Sequence, residues 1–526
     1  MARVLVSDPI DPAGVEILQQ VAHVDVLTGL APPKLLEIIG QYDALMVRSE
    51  TKVTSPVIEA GVNLKIIGRA GVGVDNIDVP TATRRGIVVV NSPGGNTIAA
   101  AEHTLALMMA LARHIPQADQ SIRRAEWNRA RFLGVELYQK TLGILGLGKI
   151  GSHVAKVARA LGMQVLAYDP YISAERASQW GAQLVDLDTV IRTADFITLH
   201  LPKTPETTRL INRETLLQMK PTTRIINCSR GGIIDEEALY EALKHKQIAG
   251  AALDVFAQEP LKESSLRELG MEVILTPHLG ASTEEAQANV AIDVAEQIRD
   301  VLLGLPAKSA VNIPGLSPDV LQQLKPYLEL AEILGALVGQ LARGRVDTLE
   351  IRLQGVLVEK DIKPLLIAVL KGLLTPALQE RVNYVNALIE ARERGIHVIE
   401  TKDSTGQDYM GSLHLEARTG GIEHSISGAL LGEGEARITA INGMPINVAP
   451  SKWMLLTHHR DMPGIIGRVG SFLGHHNVNI AGMQVGRQVV RGEAVMMVSL
   501  DDPLSDEMLK EICTIPGIRD AYVLTL

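Results

Sequence analysis

The sequence predicts an α/β fold, with two β/α domains followed by an α+β region and a terminal βαββαβ module. Three observations predict it. Short β-branched runs alternate with longer helical patterns through the first two-thirds of the chain, as in βαβ units on a parallel sheet. A glycine-rich turn lies near residue 146, after a complete β/α region rather than at the N-terminus. Residues 453–526 follow the order βαββαβ, which is ferredoxin-like.

A length of 526 residues suggests three or four domains, at ~150 residues each. Apolar residues at 46% and charged residues at 21% supply buried cores and argue against disorder. Aromatics are 3%, so those cores rest on Val, Ile, Leu and Ala. A net charge of −9 argues against broad adhesion to nucleic acid or anionic lipid. It leaves room for a local basic pocket. Cys228 and Cys513 are the only cysteines, too few for a disulfide framework or a four-thiolate zinc site. No run of ~18 apolar residues is free of charges and breakers. The first strand is too short for a secretory signal. A cytoplasmic protein with no membrane span is expected.

Strands are expected at Arg3–Ser7, Val24–Leu27, Ala44–Val47, Leu64–Ile67 and Val88–Asn91, with helices such as Ala13–Val21 and Pro33–Gly40 between them. One long helix, Ile98–Ile115, follows. The second block has strand Leu142–Leu145, helix Lys149–Leu161 and strand Gln164–Tyr168. Its later strands are Phe196–Leu199, Arg224–Asn227, Gly250–Leu253 and Val273–Leu275. Helix Glu284–Leu303 has the length to bridge back to the first domain. Gly304–Pro318 is a linker by composition. Residues 348–450 mix strands Thr348–Leu353, His397–Thr401 and Ser412–Ala417 with helices Ile362–Leu374 and Val385–Arg394, without an assignable motif. The terminal module reads as strand Lys452–Thr457, helix Gly464–Leu473, strands Val478–Val485 and Ala494–Leu500, helix Ser505–Thr514 and strand Ile518–Thr525.

Gly146-Leu147-Gly148-Lys149-Ile150-Gly151 follows a strand and opens a helix. The first Gly allows a tight turn, the second lets backbone approach a pyrophosphate, and the third lets helix pack on strand. The helix N-terminus adds free N–H donors and partial positive charge. Asp169 ends the next strand. Its carboxylate suits the ribose hydroxyls of NAD and repels the 2′-phosphate of NADP.

Three further residues lie where open α/β sheets bind ligands, past the ends of later strands. They are Arg230 in Ser229-Arg230-Gly231-Gly232, Glu259 in Gln258-Glu259-Pro260, and His278 in Pro277-His278-Leu279-Gly280-Ala281. Oxidising a hydroxy acid requires a carboxylate clamp, a proton acceptor and an oriented C–H. Arg offers the bidentate fork, His passes a proton near neutral pH, and a Glu bonded to the imidazole orients it. Singly each has a bland alternative: Arg230 paired with Asp235, Glu259 as a cap, His278 as a turn residue. His103 and His200 read as packed residues. The His475-His476 tandem does not suit a metal, and no metal is expected.

These motifs resemble those of the D-isomer-specific 2-hydroxyacid dehydrogenases, and the whole chain resembles the long, phosphoglycerate-oxidising branch of that family. The resemblance implies a flavodoxin-like substrate domain (1–97 with 287–306) and a Rossmann NAD domain (98–286). An intervening domain (307–452) and an ACT amino-acid-binding domain (453–526) would follow. It implies NAD-dependent oxidation of 3-phospho-D-glycerate, the entry step of serine biosynthesis, with Arg230, Glu259 and His278 catalytic. Cofactor contacts would fall on Gly146, Gly148, Lys149, Ile150, Gly151, Asp169, Cys228, Ser229, Arg230, Asp254, His278, Leu279, Gly280 and Ala281. Val72 and Leu201 match positions where relatives often carry Thr, so only backbone contacts are expected there. Another 2-hydroxyacid dehydrogenase, such as a glyoxylate or hydroxypyruvate reductase, and a non-catalytic NAD-sensing protein are the alternatives.

A phosphorylated substrate needs additional cations. Arg48 and Arg69, at the ends of apolar strands, should face the cleft, and Gly94 and Gly95 offer backbone N–H groups for a carboxylate. Arg129 and Arg131 belong to a basic stretch around Trp127. By the resemblance, that stretch lies at a dimer interface and reaches a neighbour's site, within a homotetramer. The ACT resemblance implies an L-serine effector held by Asp461 and Asn479, with His459 nearby, across a paired-subunit interface.

Overall fold

The computed structural model describes residues 1–313, 318–378, 382–404, 409–432 and 434–526, without the side chains of 318–323. Residues 314–317 of the expected linker lie outside the described residues. The first sheet holds β1 (Ala2–Val6), β2 (Ala22–Val26), β3 (Ala44–Val47), β4 (Ile66–Arg69) and β5 (Val88–Asn91). All pair in parallel, in the order β2-β1-β3-β4-β5, which is the flavodoxin-like order.

The expected helix Ile98–Ile115 forms as Thr97–Arg113, and a second helix that the sequence reading lacked, Ile115–Arg123, follows it directly. His114 breaks them apart at φ +53. Pro116 follows in the first turn of the second helix, where its missing N–H costs nothing.

The second sheet holds β6 (Thr141–Leu145), β7 (Gln164–Tyr168), β8 (Gln183–Leu184), β9 (Phe196–Leu199), β10 (Arg224–Asn227), β11 (Gly250–Leu253) and β12 (Val273–Leu275). Its order, β12-β11-β10-β9-β6-β7-β8, is doubly wound, with the direction reversing between β6 and β9. β8 went unseen in the sequence because two residues show no period. Helix Glu284–Leu302 then leaves this sheet and buries Val290, Val294 and Ile298 against Val4, Val6 and Ile66 of the first. Gly14 permits the approach: a Cβ there would lie 2.9 Å from Ala291 O.

The third sheet contains β13 (Thr348–Gly355), β14 (His397–Asp403), β15 (Gly411–Thr419), β16 (Ile422–Leu431), β17 (Glu435–Ile441) and β18 (Met444–Val448). Only the β13–β14 pair is parallel. The sequence reading missed β16 to β18. Their hairpin signals were present: Gly420-Gly421 and Asn442-Gly443 all take positive φ, as two-residue hairpin loops require. Helices Pro318–Ala342 and Lys363–Leu378 cover one face. They pack backbone to backbone at Gly335 and Gly372, where a Cβ would lie 2.1 Å from Val369 O and 2.0 Å from Glu332 O respectively.

The fourth sheet, β19 (Trp453–Arg460), β20 (Ile480–Arg487), β21 (Glu493–Leu500) and β22 (Ile518–Thr525), is antiparallel in the order β20-β21-β19-β22. Helices Ile465–His475 and Asp506–Cys513 cover one face. Met454, Leu456, Met497 and Leu524 of the other face join the core of the third sheet. The two C-terminal units therefore share one hydrophobic cluster. The chain entering these units and the units themselves are each tied to the first sheet by a side-chain amide. Asn312 accepts from Val89 N (2.9 Å) and donates to Ile87 O (2.9 Å), and Asn383 donates to Gly86 O (2.8 Å). Among the described residues, no helix is long and apolar enough to cross a membrane.

Because both helix contacts are backbone to backbone, Gly335→Val should overpack them. The expected cost is about 1–3 kcal/mol, read as a lower thermal midpoint of the C-terminal unit, whereas an exposed helical Gly474→Ala control, with nothing within 4 Å of its Cβ position, should not lower it.

Candidate active site

The cleft forms where strand order reverses, so the loops after β6 and β9 flank its floor. After β6, Gly146 takes φ +92. A Cβ there would meet His200 O at 2.5 Å, and one on Gly151 would meet Gly146 O at 2.1 Å. Gly148 is the opposite case: nothing lies within 4 Å of its Cβ position. The turn is thus sealed below and open above, at the N-terminus of helix Lys149–Ala160, which is where a pyrophosphate needs room and N–H donors. Asp169 leans over the same turn, accepting from Leu147 N (2.8 Å) and Tyr171 N (2.9 Å). These residues fit NAD.

Val72 accepts from the Asn91 amide through its backbone carbonyl, and Leu201 packs against the core beneath the second sheet. The Ser229 N–H and hydroxyl both bond Asn227 Oδ1. Burial pushes the Cys228 thiol up to about 12, so it stays a neutral lining group. Burial likewise pushes His200 down to about 4. It is a neutral imidazole bonded to Thr198 Oγ1 at 3.1 Å.

The loops after β10, β11 and β12 carry Arg230, Glu259 and His278. They interlock: a Cβ on Gly231 would strike Phe256 O at 1.8 Å, and one on Gly280 would lie 4.0 Å from Cys228 O. His278 Nδ1 meets Glu259 Oε2 at 2.8 Å, while Glu259 Oε1 accepts from Phe256 N at 3.0 Å. Burial raises the Glu259 pKa, but the His278 contact and the Phe256 N–H outweigh it and hold the carboxyl below its ordinary value. Glu259 is therefore both local cap and imidazole partner. With Nδ1 engaged, Nε2 is the ring nitrogen of His278 left to meet a ligand. Asp254, fully buried, accepts from Leu279 N (2.7 Å), Gly280 N (2.8 Å) and Thr276 Oγ1 (2.6 Å), and His103 Nε2 lies 3.2 Å away. Burial opposes its ionisation, yet His103, Thr276 and the Leu279 N–H lower its pKa. His103, read from sequence as merely packed, thus braces the loop that displays His278. Its helix position gave no sign of that partner.

Arg230 donates to Ser229 O (2.7 Å) and faces Asp75 Oδ2 at 3.6 Å across the cleft. Asp235, its expected bland partner, instead caps helix Glu236–Lys244. From the first domain, Arg69 donates to Asn76 Oδ1 (3.0 Å), and Asn76 in turn donates to Arg48 O (2.8 Å). Burial, then the nearby charges of Arg230 and Arg48, lower Arg69 to about 10. Asp75 opposes that shift, and Gly71 and Gly73, two residues apart, back onto the Arg69 and Arg230 guanidiniums, each with its Cβ position 2.6 Å from a guanidinium nitrogen, so these two cations share one side of the cleft. Gly94 lies by Lys149, with 3.5 Å between its Cβ position and Nζ; beside Gly95, Ser92 Oγ is buried without a partner. Arg129 and Arg131 are exposed and contact their own segment, at Trp127, Phe132 and Glu126.

In the terminal module His459 is buried, with Nδ1 3.3 Å from Thr457 Oγ1 and Nε2 unpartnered. Asp461 pairs with Arg487 and accepts from Arg491 N, beside a cavity of ≈ 370 Å³. Asn479 bonds Asp501 instead. Register separates them: Asn479 precedes β20 at the Trp453 end of β19, and Asp461 follows its Arg460 end. At ~3.3 Å per residue the two ends lie roughly 25 Å apart. One chain does not bring the trio together.

Comparison with known proteins assigns three segments of the chain to known domain families. Residues 105–280 match the D-isomer specific 2-hydroxyacid dehydrogenase NAD binding domain, 323–442 the D-3-phosphoglycerate dehydrogenase intervening domain and 453–517 the ACT domain. The D-3-phosphoglycerate dehydrogenase of a Synechocystis strain is 68% identical over 100% of this chain and 95% of its own length. That of Methanocaldococcus jannaschii is 47% identical, covering 100% of both. The chain belongs to the D-3-phosphoglycerate dehydrogenase family. It is an NAD-dependent oxidoreductase. Among solved structures, the D-lactate dehydrogenase of Aquifex aeolicus, complexed with NAD and lactic acid, aligns with a TM-score of 0.53 at 27% identity, covering 57% of this chain and 96% of its own.

The lowered Asp254 pKa gives a pH dependence. Its stabilisation is fully present above the unfolded carboxylate value of ~3.9 and is lost as pH falls through the lower folded value. Asp254→Asn should therefore reduce the denaturation midpoint at neutral pH and flatten the acid limb. Parallel denaturant titrations from neutral to acid pH test this, and an unchanged acid limb contradicts it.

Proposed function

We propose that this chain oxidises 3-phospho-D-glycerate to 3-phosphohydroxypyruvate with NAD, the first step of L-serine biosynthesis. The observation that carries it is the His278–Glu259 pair on a cleft into which Arg48, Arg69 and Arg230 converge. An imidazole alone suits many oxidations; three cations beside it select an anionic hydroxy acid. Arg230 holds the substrate carboxylate and the developing carbonyl oxygen. The Gly94-Gly95 backbone takes part in carboxylate binding, and Arg48 and Arg69 attract the phosphate. His278 Nε2 takes the hydroxyl proton and returns it in the reverse direction. Glu259, ionised, orients the ring and favours the imidazolium that results. NAD, when bound, accepts the hydride at nicotinamide C4.

The assembly we propose is a homotetramer in the cytoplasm, binding neither nucleic acid nor membrane. Exposed Arg129 and Arg131 would complete a neighbour's substrate site. L-serine is the proposed effector. Asp461 with His459 of one chain would face Asn479 of an antiparallel second copy, since one chain holds these residues at opposite sheet ends.

His278→Ala should lower turnover by about 10²–10⁴-fold while NAD binding, followed by fluorescence titration, persists; unchanged turnover refutes the assigned role. A substrate panel should favour 3-phosphoglycerate over D-glycerate, glyoxylate and hydroxypyruvate, and NAD over NADP, with L-serine added in a parallel arm. Preference for an unphosphorylated acid would assign the chain to another 2-hydroxyacid dehydrogenase activity, and no NADH from any substrate would leave the NAD-sensing alternative.

A further inference from the structure

One carboxylate stands among the cleft cations without a structural duty. Asp8, the other acid near them, is 1% exposed and fully occupied: it accepts from Arg48 N, Thr51 N and the Thr51 hydroxyl. Asp75 differs in every respect. Its side chain is 79% exposed and its Oδ2 lies 3.6 Å from Arg230 Nε, beyond hydrogen-bond reach. It therefore does not fix the guanidinium plane; Ser229 O does that from the other side at 2.7 Å. Gly73 makes the approach possible, because a Cβ there would lie 2.6 Å from Arg230 Nη2 and 2.9 Å from Asp75 Oδ2. The contact joins the loop after β4 to the loop after β10, so it spans the cleft between the two sheets.

We infer that Asp75 is an internal counter-ion, a placeholder carboxylate that occupies the charge of Arg230 until a substrate anion displaces it, and so sets affinity for anionic ligands. This rests on the reading of Arg230 as the carboxylate clamp. A loose, hydrated ion pair is easily exchanged, since it loses no geometry when broken. Three guanidiniums without such a partner would repel one another and hold stray anions. Asp75 thus trades ground-state affinity for ready release of a product that carries the same charges as the substrate.

The test is Asp75→Asn in the full chain, with Asp75→Glu as the charge-retaining control. Exposed pairs contribute ~0.2–1 kcal/mol, so KM for 3-phosphoglycerate at low ionic strength should fall about 1.4- to fivefold, kcat moving less than KM. Competitive inhibition by inorganic phosphate should tighten by a similar factor. The gap should narrow as added salt screens the site, and Asp75→Glu should stay near the parent. A KM that is unchanged or raised, or a kcat that falls more than KM, overturns the inference and makes Asp75 a positioning partner of Arg230. If the parent chain does not oxidise 3-phosphoglycerate, the substrate reading fails. Calorimetric titration with inorganic phosphate then decides the counter-ion: tighter binding by Asp75→Asn supports it, and equal or weaker binding removes it.

Discussion

His278 sits in the left-handed region at φ +58, and the Asp254 carboxylate keeps it there by accepting the next two peptide N–H groups. For a residue with a Cβ that conformation costs ~1–2 kcal/mol. The offset comes from charge-assisted bonds to a carboxylate with no solvent exposure, in a setting where such bonds are strong. Thr276 and His103 keep that carboxylate ionised and in place. The imidazole can then extend toward Glu259, which is itself held by Phe256 N. Ring orientation is thus inherited from a buried acid that the ring does not touch.

The opposite wall obeys a different constraint. Arg69 ends a strand of the first sheet and Arg48 follows another; Asn76 takes the Arg69 Nε–H and also bonds the Arg48 backbone carbonyl. Fixing the Arg69 guanidinium with an amide rather than an acid leaves its charge available to a ligand. In a chain of net charge −9, this focuses positive potential on one crevice. Helix Glu284–Leu302 comes back from the second sheet and completes the core of the first, joining the two walls.

The C-terminal third is packed as one unit. The third and fourth sheets share a single core through Met454, Leu456, Met497 and Leu524, so neither shifts without repacking the other. Asn383 attaches the joined unit to Gly86, and Asn312, ahead of it in the chain, bonds Ile87 and Val89 at the start of β5.

Much of this was legible in the chain because it is encoded locally. The glycine turn at 146–151, the β/α alternation and the Arg230, Glu259 and His278 motifs each occupy a few consecutive residues, and turn sterics and side-chain period act over that range. The helix Ile115–Arg123 was missed because it opens beside Pro116, where the apolar pattern stops, and its own sequence is mostly polar. β16 to β18 were missed because the hairpin signals were not weighed in a region without a motif. Other features had no local trace: His103 against Asp254, Asp75 against Arg230, and the separation of Asp461 from Asn479. The sequence by itself determined which elements form and which chemical groups are present. Tertiary structure alone decided which charges meet, because contact between residues far apart along the chain depends on sheet order and register, and these are set by how whole elements bury their apolar faces against one another.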